Sequence, residues 1–325
     1  MTKIIYIENE IKDHKRTKLI CSKFKNPEIV IINRFGEVFN KKNQSFRVQK
    51  TNPALIIAKK YNNLLHKIPA NYGIGNEHNY YFSYMYNCIF DCKYCFLQGL
   101  YSSANYVIFI NYEDFYKEIK KISDNNKQKK ITIFSGYDCD SLAFESISNF
   151  MSYLIKKIAK HKNIELEIRT KSTYMKSFSK NIINNIIIAY SFTPEKFSIK
   201  YELGVPHINK RLIAFKKLSN LGWKLGIRFD PVVVYEGWKD DYKKLFTQIF
   251  KNVDTKNIHS ISFGKLRFPE SVYKKITKDN PSESLFFNLV KTKNIYESNV
   301  NENIEVFCKE SLKNFIDEKK IFFNN

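Results

Sequence analysis

Short runs of β-branched and aromatic residues alternate along this chain with amphipathic stretches, and this order constrains the fold more than any other feature of the sequence. Helical periodicity is clear over residues 146–159 and 209–221. Strands that alternate with helices indicate parallel βαβ units, in a barrel or in an open sheet. The six predicted strands are residues 80–86, 131–135, 164–169, 186–192, 224–229 and 258–263.

Polar and reactive residues directly follow these strands. In parallel barrels, ligands bind in the loops at the carboxyl ends of the strands. The sequence therefore predicts that these groups meet on one rim, whereas a chance arrangement would scatter them over both ends. The groups, in strand order, are residues 88–95, 136–141, 170–172, Ser191, residues 228–231 and residues 264–267.

Three of the six cysteines of the chain lie within eight residues, with the spacing C-x3-C-x2-C. Cys88, Cys92 and Cys95 are too few for a closed zinc site, which takes four protein ligands. They suit an iron–sulfur cluster in which one iron is left open for another ligand. The alternative is three thiols that share no metal. Cys21 and Cys308 have no such neighbours in the sequence and are interpreted as ordinary thiols.

The formal net charge of +22 is the second strong signal. A basic protein attracts polyanions, because neutralising phosphates releases condensed counterions. Drift in an AT-rich coding sequence also enriches lysine, asparagine and isoleucine, but acidic residues have not kept pace with lysine here. We therefore expect contact with nucleic acid.

Hydropathy and cysteine use indicate the compartment. No apolar run approaches the length of a membrane span, and the first six residues lack the apolar core of a signal peptide. Clustered cysteines without a paired framework favour a reducing environment. The sequence predicts a cytoplasmic protein that does not contact a membrane.

The cysteine spacing, with an aromatic residue just before the last cysteine, resembles the cluster loop of radical S-adenosylmethionine enzymes. The likeness narrows to the spore photoproduct lyase family and covers most of residues 5 to 275. The matching segments are residues 5–8, 43–50, 94–98, 140–143, 170–172, 201–202, 221–223, 237–238 and 266–269, together with Ser191, Arg211, Ala214 and Tyr242.

This resemblance implies an α/β fold, a partial (β/α)6 TIM-like barrel with an N-terminal extension. It also implies three thiolates on a [4Fe-4S] cluster whose open iron binds S-adenosylmethionine, and reductive cleavage of that cofactor to a 5′-deoxyadenosyl radical. The implied activity is a DNA repair lyase that reverses a thymine photoproduct. The implied partners are DNA or another nucleic acid, and an electron donor such as a flavodoxin or ferredoxin.

The resemblance assigns roles to single residues. Cys88, Cys92 and Cys95 would hold the cluster, and Tyr94 matches an aromatic near the adenine of the cofactor. Lys171 and Ser191 match polar contacts to the cofactor. For these three residues the alternatives are a core aromatic, a solvated lysine and a serine that caps a turn.

Two positions depart from the family pattern, and both concern the return of the radical. The family uses a cysteine after the second strand as hydrogen-atom donor. Cys139 lies in that loop, but alignment on residues 140–142 puts the place of the family cysteine at Tyr137. A family tyrosine that follows the last cluster cysteine is Phe96 here. Cys139 and Tyr137 are therefore the candidate catalytic residues.

The sequence suggests three regions: a basic, polar N-terminal region (residues 1–75), the barrel (76–275) and a C-terminal extension (276–325). Two other functions stay open at this stage. One is a radical S-adenosylmethionine enzyme that acts on RNA or a small metabolite. The other is a non-catalytic nucleic-acid-binding protein stabilised by a metal.

Overall fold

The computed structural model of the chain describes residues 2–68, 72–178, 180–298 and 303–324. The strands are β1 (Ile4–Glu8), β2 (Glu28–Ile32), β3 (Leu55–Ala58), β4 (His66–Lys67), β5 (His78–Tyr81), β6 (Met85–Tyr86), β7 (Asp91–Cys92), β8 (Tyr106–Phe109), β9 (Ile131–Ser135), β10 (Ile164–Thr170), β11 (Ile186–Ser191), β12 (Glu202–Leu203), β13 (Lys224–Val232), β14 (Ile258–Lys265), β15 (Arg267–Pro269), β16 (Leu289–Thr292), β17 (Ile295–Ser298) and β18 (Ile321–Asn324). The helices are α1 (Lys15–Cys21), α2 (Phe46–Lys50), α3 (Leu97–Leu100), α4 (Tyr112–Asn125), α5 (Glu145–Ser148), α6 (Phe150–Ile158), α7 (Glu195–Tyr201), α8 (Ile208–Leu221), α9 (Trp238–Phe250), α10 (Glu270–Asp279) and α11 (Ile304–Leu312).

The larger sheet has the order β18-β14-β13-β11-β10-β9-β5-β4. From β5 to β14, neighbouring strands pair in parallel and follow chain order, which is the arrangement of successive βαβ units. Strand β11 is buried along its whole length, as expected for a strand covered on both faces. The predicted α/β class and partial barrel are confirmed.

The first predicted strand, residues 80–86, is wrong in one respect, because the structure divides it between two sheets. Strand β5 pairs with β9 in the barrel, whereas β6 pairs with β8 in a second sheet. The residues between them are still apolar at alternate positions: Phe82 and Tyr84 are both fully buried. The chain therefore crosses from one sheet to the other without leaving the core, which periodicity alone does not reveal.

The second sheet, of order β2-β1-β3-β8-β6, is built largely from the N-terminal region. Despite the basic composition of residues 1–75, strand β3 is buried along its whole length and β1 is buried at three of its five positions, so the interpretation of this region as polar was wrong for its core. Ile5, Leu55 and Ile56 are each fully buried. The sheet also includes β8, which sequence analysis missed. The three-region division of the chain stays a prediction.

The predicted helix over residues 146–159 is interrupted at Asn149, which has a φ of 52° and separates α5 from α6. Asparagine tolerates this left-handed conformation better than most residues. The predicted helix over 209–221 is confirmed as α8, which ends at Gly222 with a φ of 88°.

No helix among the described residues is long and apolar enough to span a lipid bilayer.

The interior of the barrel holds a buried charge network. Glu167 on β10 accepts hydrogen bonds from Arg228 on β13, at 2.7 and 3.1 Å, and from Arg169 at 3.1 Å. Burial raises the pKa of Glu167, but the charges of Arg228 and Arg169 outweigh this effect and lower the pKa to about 2. Removing one member of a buried pair leaves an uncompensated charge in the core.

We therefore expect Glu167→Gln to lower the free energy of unfolding by about 3–5 kcal/mol, measured by urea denaturation at pH 7. Because the folded pKa is below the ordinary 4.5, this carboxylate stabilises the fold above pH 4.5, and the contribution is lost as pH falls toward 2. The variant should lose that part of the acid sensitivity. Glu305→Gln, in an exposed pair with Lys309, is the matched control and should unfold like the wild type. Equal stabilities for the two variants would contradict the prediction.

Candidate active site

The three-cysteine loop runs from the end of β6 to the start of α3 and lies at the rim of the barrel. Its middle residues form β7, which pairs antiparallel with β12, so that Cys92 is opposite Glu202. The backbone N–H of Lys93 donates to the carbonyl of Tyr201 at 2.9 Å. The Lys93 side chain pairs with Glu283 at 2.7 Å. The loop is therefore fixed on the side of α7 and the C-terminal region.

Helix α2, from the N-terminal region, supports the other side of the loop. The Lys50 ammonium donates to the carbonyls of Cys88, at 2.6 Å, and Phe90, at 3.1 Å. Arg47 forms a bidentate pair with Asp91, at 2.9 and 3.1 Å. Gln98 completes the support, because its amide donates to Asp91 at 3.0 Å and to the Cys92 carbonyl at 2.7 Å.

The three thiols lie close enough to influence one another electrostatically. Burial raises the pKa of all three cysteines, to about 12 for Cys88; Cys95 raises the pKa of Cys88 and Cys92 further, and Cys88 raises that of Cys92. Lys50 opposes this rise at Cys88 and Cys95, and Lys171 opposes it at Cys92 and Cys95. Metal binding at these cysteines would be coupled to proton release, because the thiolate is the form that binds a metal.

The donor set consists of three cysteine thiols, the ligand type of iron–sulfur clusters. Among the described residues, no group of three or more His, Cys, Asp or Glu side chains is arranged to hold one metal ion. A [4Fe-4S] cluster gives each cysteine its own iron, so its ligands lie farther apart than those of a mononuclear site. One buried and two half-buried thiols, with Lys50 and Lys171 nearby, provide soft ligands and compensating charge. The assignment of Cys88, Cys92 and Cys95 as cluster ligands stays a prediction that this geometry supports.

Glu202 links the loop to the neighbouring strands. It is fully desolvated and pairs with Arg211, and it accepts hydrogen bonds from Ser198 at 2.7 Å and from the Tyr94 hydroxyl. The Lys171 ammonium lies 4.0 Å from it. Burial raises the pKa of Glu202, but the charges of Arg211 and Lys171 lower it to about 2. Sequence analysis matched Glu202 and Arg211 to the family without giving them a role.

Two of the predicted cofactor contacts, Tyr94 and Lys171, therefore come together. The Lys171 ammonium lies 5.7 Å from the centre of the Tyr94 ring, and Tyr94 is buried against Phe197 at a ring distance of 5.5 Å. The solvated-lysine alternative for Lys171 does not hold, since its side chain is only 15% exposed. Ser191 ends β11 and is buried, and its carbonyl accepts from Arg211 at 3.0 Å.

The loop after β9 carries the two candidate catalytic residues, and the structure places them differently. Tyr137 is 52% exposed, and its ring lies 4.4 Å from that of Tyr81 and 5.6 Å from that of Phe96. Cys139 is 6% exposed, and burial raises its pKa well above the usual value. The two positions that depart from the family pattern, Tyr137 and Phe96, are thus in contact.

Asp140 anchors this loop to the next strand. Its carboxylate accepts from the Thr170 hydroxyl at 2.7 Å and from the backbone N–H of Lys171 at 2.6 Å. It also accepts from the N–H groups of Leu142, at 3.0 Å, and Ala143, at 2.9 Å. The turn begins at Gly136, which has a φ of 81° and where a Cβ would lie 2.6 Å from the Ser141 Oγ.

A buried polar cluster that the sequence did not predict joins the loop to the N-terminal sheet. Asp138 accepts a hydrogen bond from Ser83, and the Lys60 ammonium donates to the Ser83 carbonyl at 3.1 Å. Burial lowers the pKa of Lys60 to about 8, although Asp138 partly opposes this shift. Lys60 follows β3 in the N-terminal sheet, and no local motif links it to residue 138.

A groove of about 560 Å³ lies beside the cysteine loop, next to α7. Phe197 and Tyr201 line it, and Tyr235 stacks on Phe197 at 5.9 Å. The groove does not include the three thiols, Lys171 or Ser191. It contacts the candidate site through Phe197, which packs against Tyr94, and through Tyr201, whose carbonyl accepts from the backbone of Lys93.

The sequence profile of the spore photoproduct lyase family matches residues 1–323. Spore photoproduct lyases of Geobacillus sp. (strain Y412MC61) and Bacillus subtilis (strain 168) are 20% and 21% identical to the chain over 212 and 202 residues, covering 61% of it and 59% of each relative. That of Clostridium acetobutylicum is 24% identical over 210 residues, covering 64% of the chain and 62% of the relative. The matched part thus spans less than two thirds of each relative's length.

Solved structures share the fold over the whole chain. A spore photoproduct lyase variant with bound AdoMet and dinucleoside spore photoproduct superposes with a TM-score of 0.82 at 16% identity, covering 100% of this chain and 98% of that one. A spore photoproduct lyase complexed with dinucleoside spore photoproduct gives a TM-score of 0.81 at 16% identity, with the same coverage.

Replacing any one of Cys88, Cys92 and Cys95 with serine should prevent stable iron uptake. The wild-type chain, reconstituted anaerobically, should bind about four irons and develop the brown colour of a [4Fe-4S] cluster. Iron content and the visible absorption spectrum measure the effect. Cys21→Ser lies outside the loop and should bind iron like the wild type. A colourless wild-type chain that binds zinc stoichiometrically would contradict the cluster assignment.

Proposed function

The chain belongs to the spore photoproduct lyase family, and we propose that it is a radical S-adenosylmethionine lyase that reverses a thymine photoproduct in DNA. The observation that carries the proposal is that Glu202, which pairs with Cys92 of the three-cysteine loop, brings Lys171 and Tyr94 together beside that loop. Related lyases have been solved with AdoMet and with dinucleoside spore photoproduct, which supports both the cofactor and the substrate class.

When bound and reduced, a [4Fe-4S] cluster supplies the electron that cleaves S-adenosylmethionine to a carbon radical. The chain itself provides binding, orientation and shielding. Lys171 presents a cation beside the cysteine loop, suited to the cofactor carboxylate. Tyr94 provides an aromatic surface for the adenine, and its hydroxyl is fixed by Glu202. Ser191 ends the neighbouring strand and supplies a further polar contact.

The final hydrogen-atom transfer needs a donor that reaches the substrate. Tyr137 is exposed at the rim, whereas Cys139 is enclosed by the core. In our proposal the O–H bond of Tyr137 breaks and a C–H bond forms on the product, which leaves a neutral radical on the tyrosine ring. Tyr81, whose ring lies 4.4 Å away, is the neighbouring phenol. Cys139 is the second candidate donor, because it lies in the same loop.

The proposed partners follow from charge and from electron demand. A net charge of +22 favours binding to the phosphates that flank a damaged base. The lesion must be unstacked before it reaches the site. Each reduction needs an external electron, and we propose an acidic carrier of the flavodoxin or ferredoxin type. Buried unpaired thiols fit a reducing compartment, which supports the cytoplasm as the location.

Product analysis with irradiated DNA tests the proposed reaction. Under anaerobic, reducing conditions with S-adenosylmethionine, the reconstituted chain should convert the thymine photoproduct to thymine, detected by chromatography of the digested DNA. The Cys92→Ser variant is the control and should show no conversion. Cofactor cleavage without repair would favour a radical enzyme with an RNA or small-metabolite substrate. DNA binding without cofactor cleavage after full reconstitution would favour the non-catalytic alternative.

Tyr137→Phe and Cys139→Ala separate the two candidate donors. We expect Tyr137→Phe to lower the fraction of correctly returned thymine severalfold while cofactor cleavage continues, because the substitution removes the hydroxyl group that would donate the hydrogen atom and keeps the ring. Cys139→Ala should alter the product distribution less, since its thiol is enclosed. The measurement is the ratio of repaired thymine to abnormal products. A larger change in Cys139→Ala than in Tyr137→Phe would assign the donor role to Cys139 instead.

A further inference from the structure

Helix α2 places two cations, Arg47 and Lys50, against the cysteine loop, but in the described part of the chain only Arg47 has a carboxylate as its direct partner. Arg47 is neutralised by its bidentate pair with Asp91. The hydrogen-bond partners of the Lys50 ammonium among the described residues are neutral carbonyl oxygens, those of Cys88 and Phe90. The positive charge of Lys50 is therefore not cancelled by a direct partner, whereas the charge of Arg47 is.

The contacts of Lys50 place its charge directly on the cysteine loop, at the backbone of the first cysteine and of Phe90. Lys171 approaches the loop from another direction, but its ammonium lies 4.0 Å from the carboxylate of Glu202. Among the described residues, no carboxylate forms an ion pair with Lys50, whereas Arg47 and Lys171 each have one.

We propose that Lys50 is a positioning residue that sets the reduction potential of the iron–sulfur cluster, and that α2 of the N-terminal region is part of the redox site. The inference rests on the proposed function, because it requires the cluster to be held by this loop. One-electron reduction makes the cluster and its thiolates more negative by one charge. A fixed cation nearby stabilises the reduced form and raises the potential, since cluster potentials follow local charge, hydrogen bonding and exposure.

The two basic residues of α2, Lys50 and Arg47, have different roles at the cysteine loop. Lys50 contributes uncompensated charge and fixes the backbone between the first two cysteines. Arg47, Asp91 and Gln98 form a neutral support that holds the same segment to the start of α3. Loss of charge and loss of support should therefore have separate effects, the first on the potential and the second on cluster retention.

Lys50→Gln is the decisive variant, because glutamine can still donate to a carbonyl but carries no charge. After anaerobic reconstitution to the iron content of the wild type, an EPR-monitored redox titration should give a more negative midpoint potential. At a fixed potential near the wild-type midpoint, the reduced fraction should fall severalfold. Lys50→Arg should restore the midpoint. Lys41→Gln removes an exposed lysine of the same region and should leave the midpoint unchanged.

The double variant Arg47→Gln/Asp91→Asn is the charge-balanced control. It removes the support without changing the net charge, so we expect faster iron loss to a chelator and an unchanged midpoint. A Lys50→Gln midpoint equal to that of Lys41→Gln would overturn the inference and leave the proposed function intact. A wild-type chain that assembles no cluster would overturn both. If Lys50→Gln does not fold, Lys50→Arg becomes the test. A Lys50→Arg midpoint that matches the wild type would support charge as the cause. A Lys50→Arg midpoint that differs from the wild type by more than the Lys41→Gln midpoint does would overturn it.

Discussion

A single desolvated carboxylate, Glu202, organises the candidate active site. Its backbone pairs with Cys92, and its side chain contacts the Tyr94 hydroxyl, Lys171 and Arg211. A buried carboxylate is costly unless it is paired and fully hydrogen-bonded, so all of these groups must be in place together. The positions of the cysteine loop, of the segment after β10 that carries Lys171 and of the helices that flank Glu202 therefore all depend on one requirement. The charge of Glu202 must be neutralised, and the geometry of the rim follows from it.

The sequence predicted the parts of the fold that repeat with a simple period. Five of the six barrel strands appear nearly as expected, because parallel strands buried on both faces are continuous apolar runs. The N-terminal sheet was missed, since its short strands are separated by basic loops that dominate the composition. The division of residues 80–86 between two sheets was also missed, because a change of sheet leaves no mark on alternation. Periodicity reports burial, but it does not report which neighbour a strand pairs with.

Some residues of the candidate site can be found from their spacing in the sequence, whereas others are found only from their packing in the structure. The three cysteines were found because they are crowded in sequence, and Lys171 and Ser191 because they follow strands. Lys50 and Lys60 have no such signal, since their partners lie far away along the chain. Asp138 does follow a predicted strand, but its contact with Ser83 joins residues that are far apart in sequence. The structure also separates Tyr137 from Cys139, which are two residues apart in sequence, by placing one at the surface and the other in the core.

The passage of residues 82–84 from one sheet to the other determines which parts of the chain support the cysteine loop. Strand β5 belongs to the barrel and β6 to the N-terminal sheet, and Cys88 follows two residues after β6. The cysteine loop thus begins just after the chain has passed from the barrel sheet to the N-terminal sheet, and α2 supports the loop from the side of the N-terminal sheet. The barrel alone does not contain everything that holds the loop, because removing the N-terminal region would also remove one of the two supports of the loop. The candidate site therefore depends on both sheets and extends beyond the barrel.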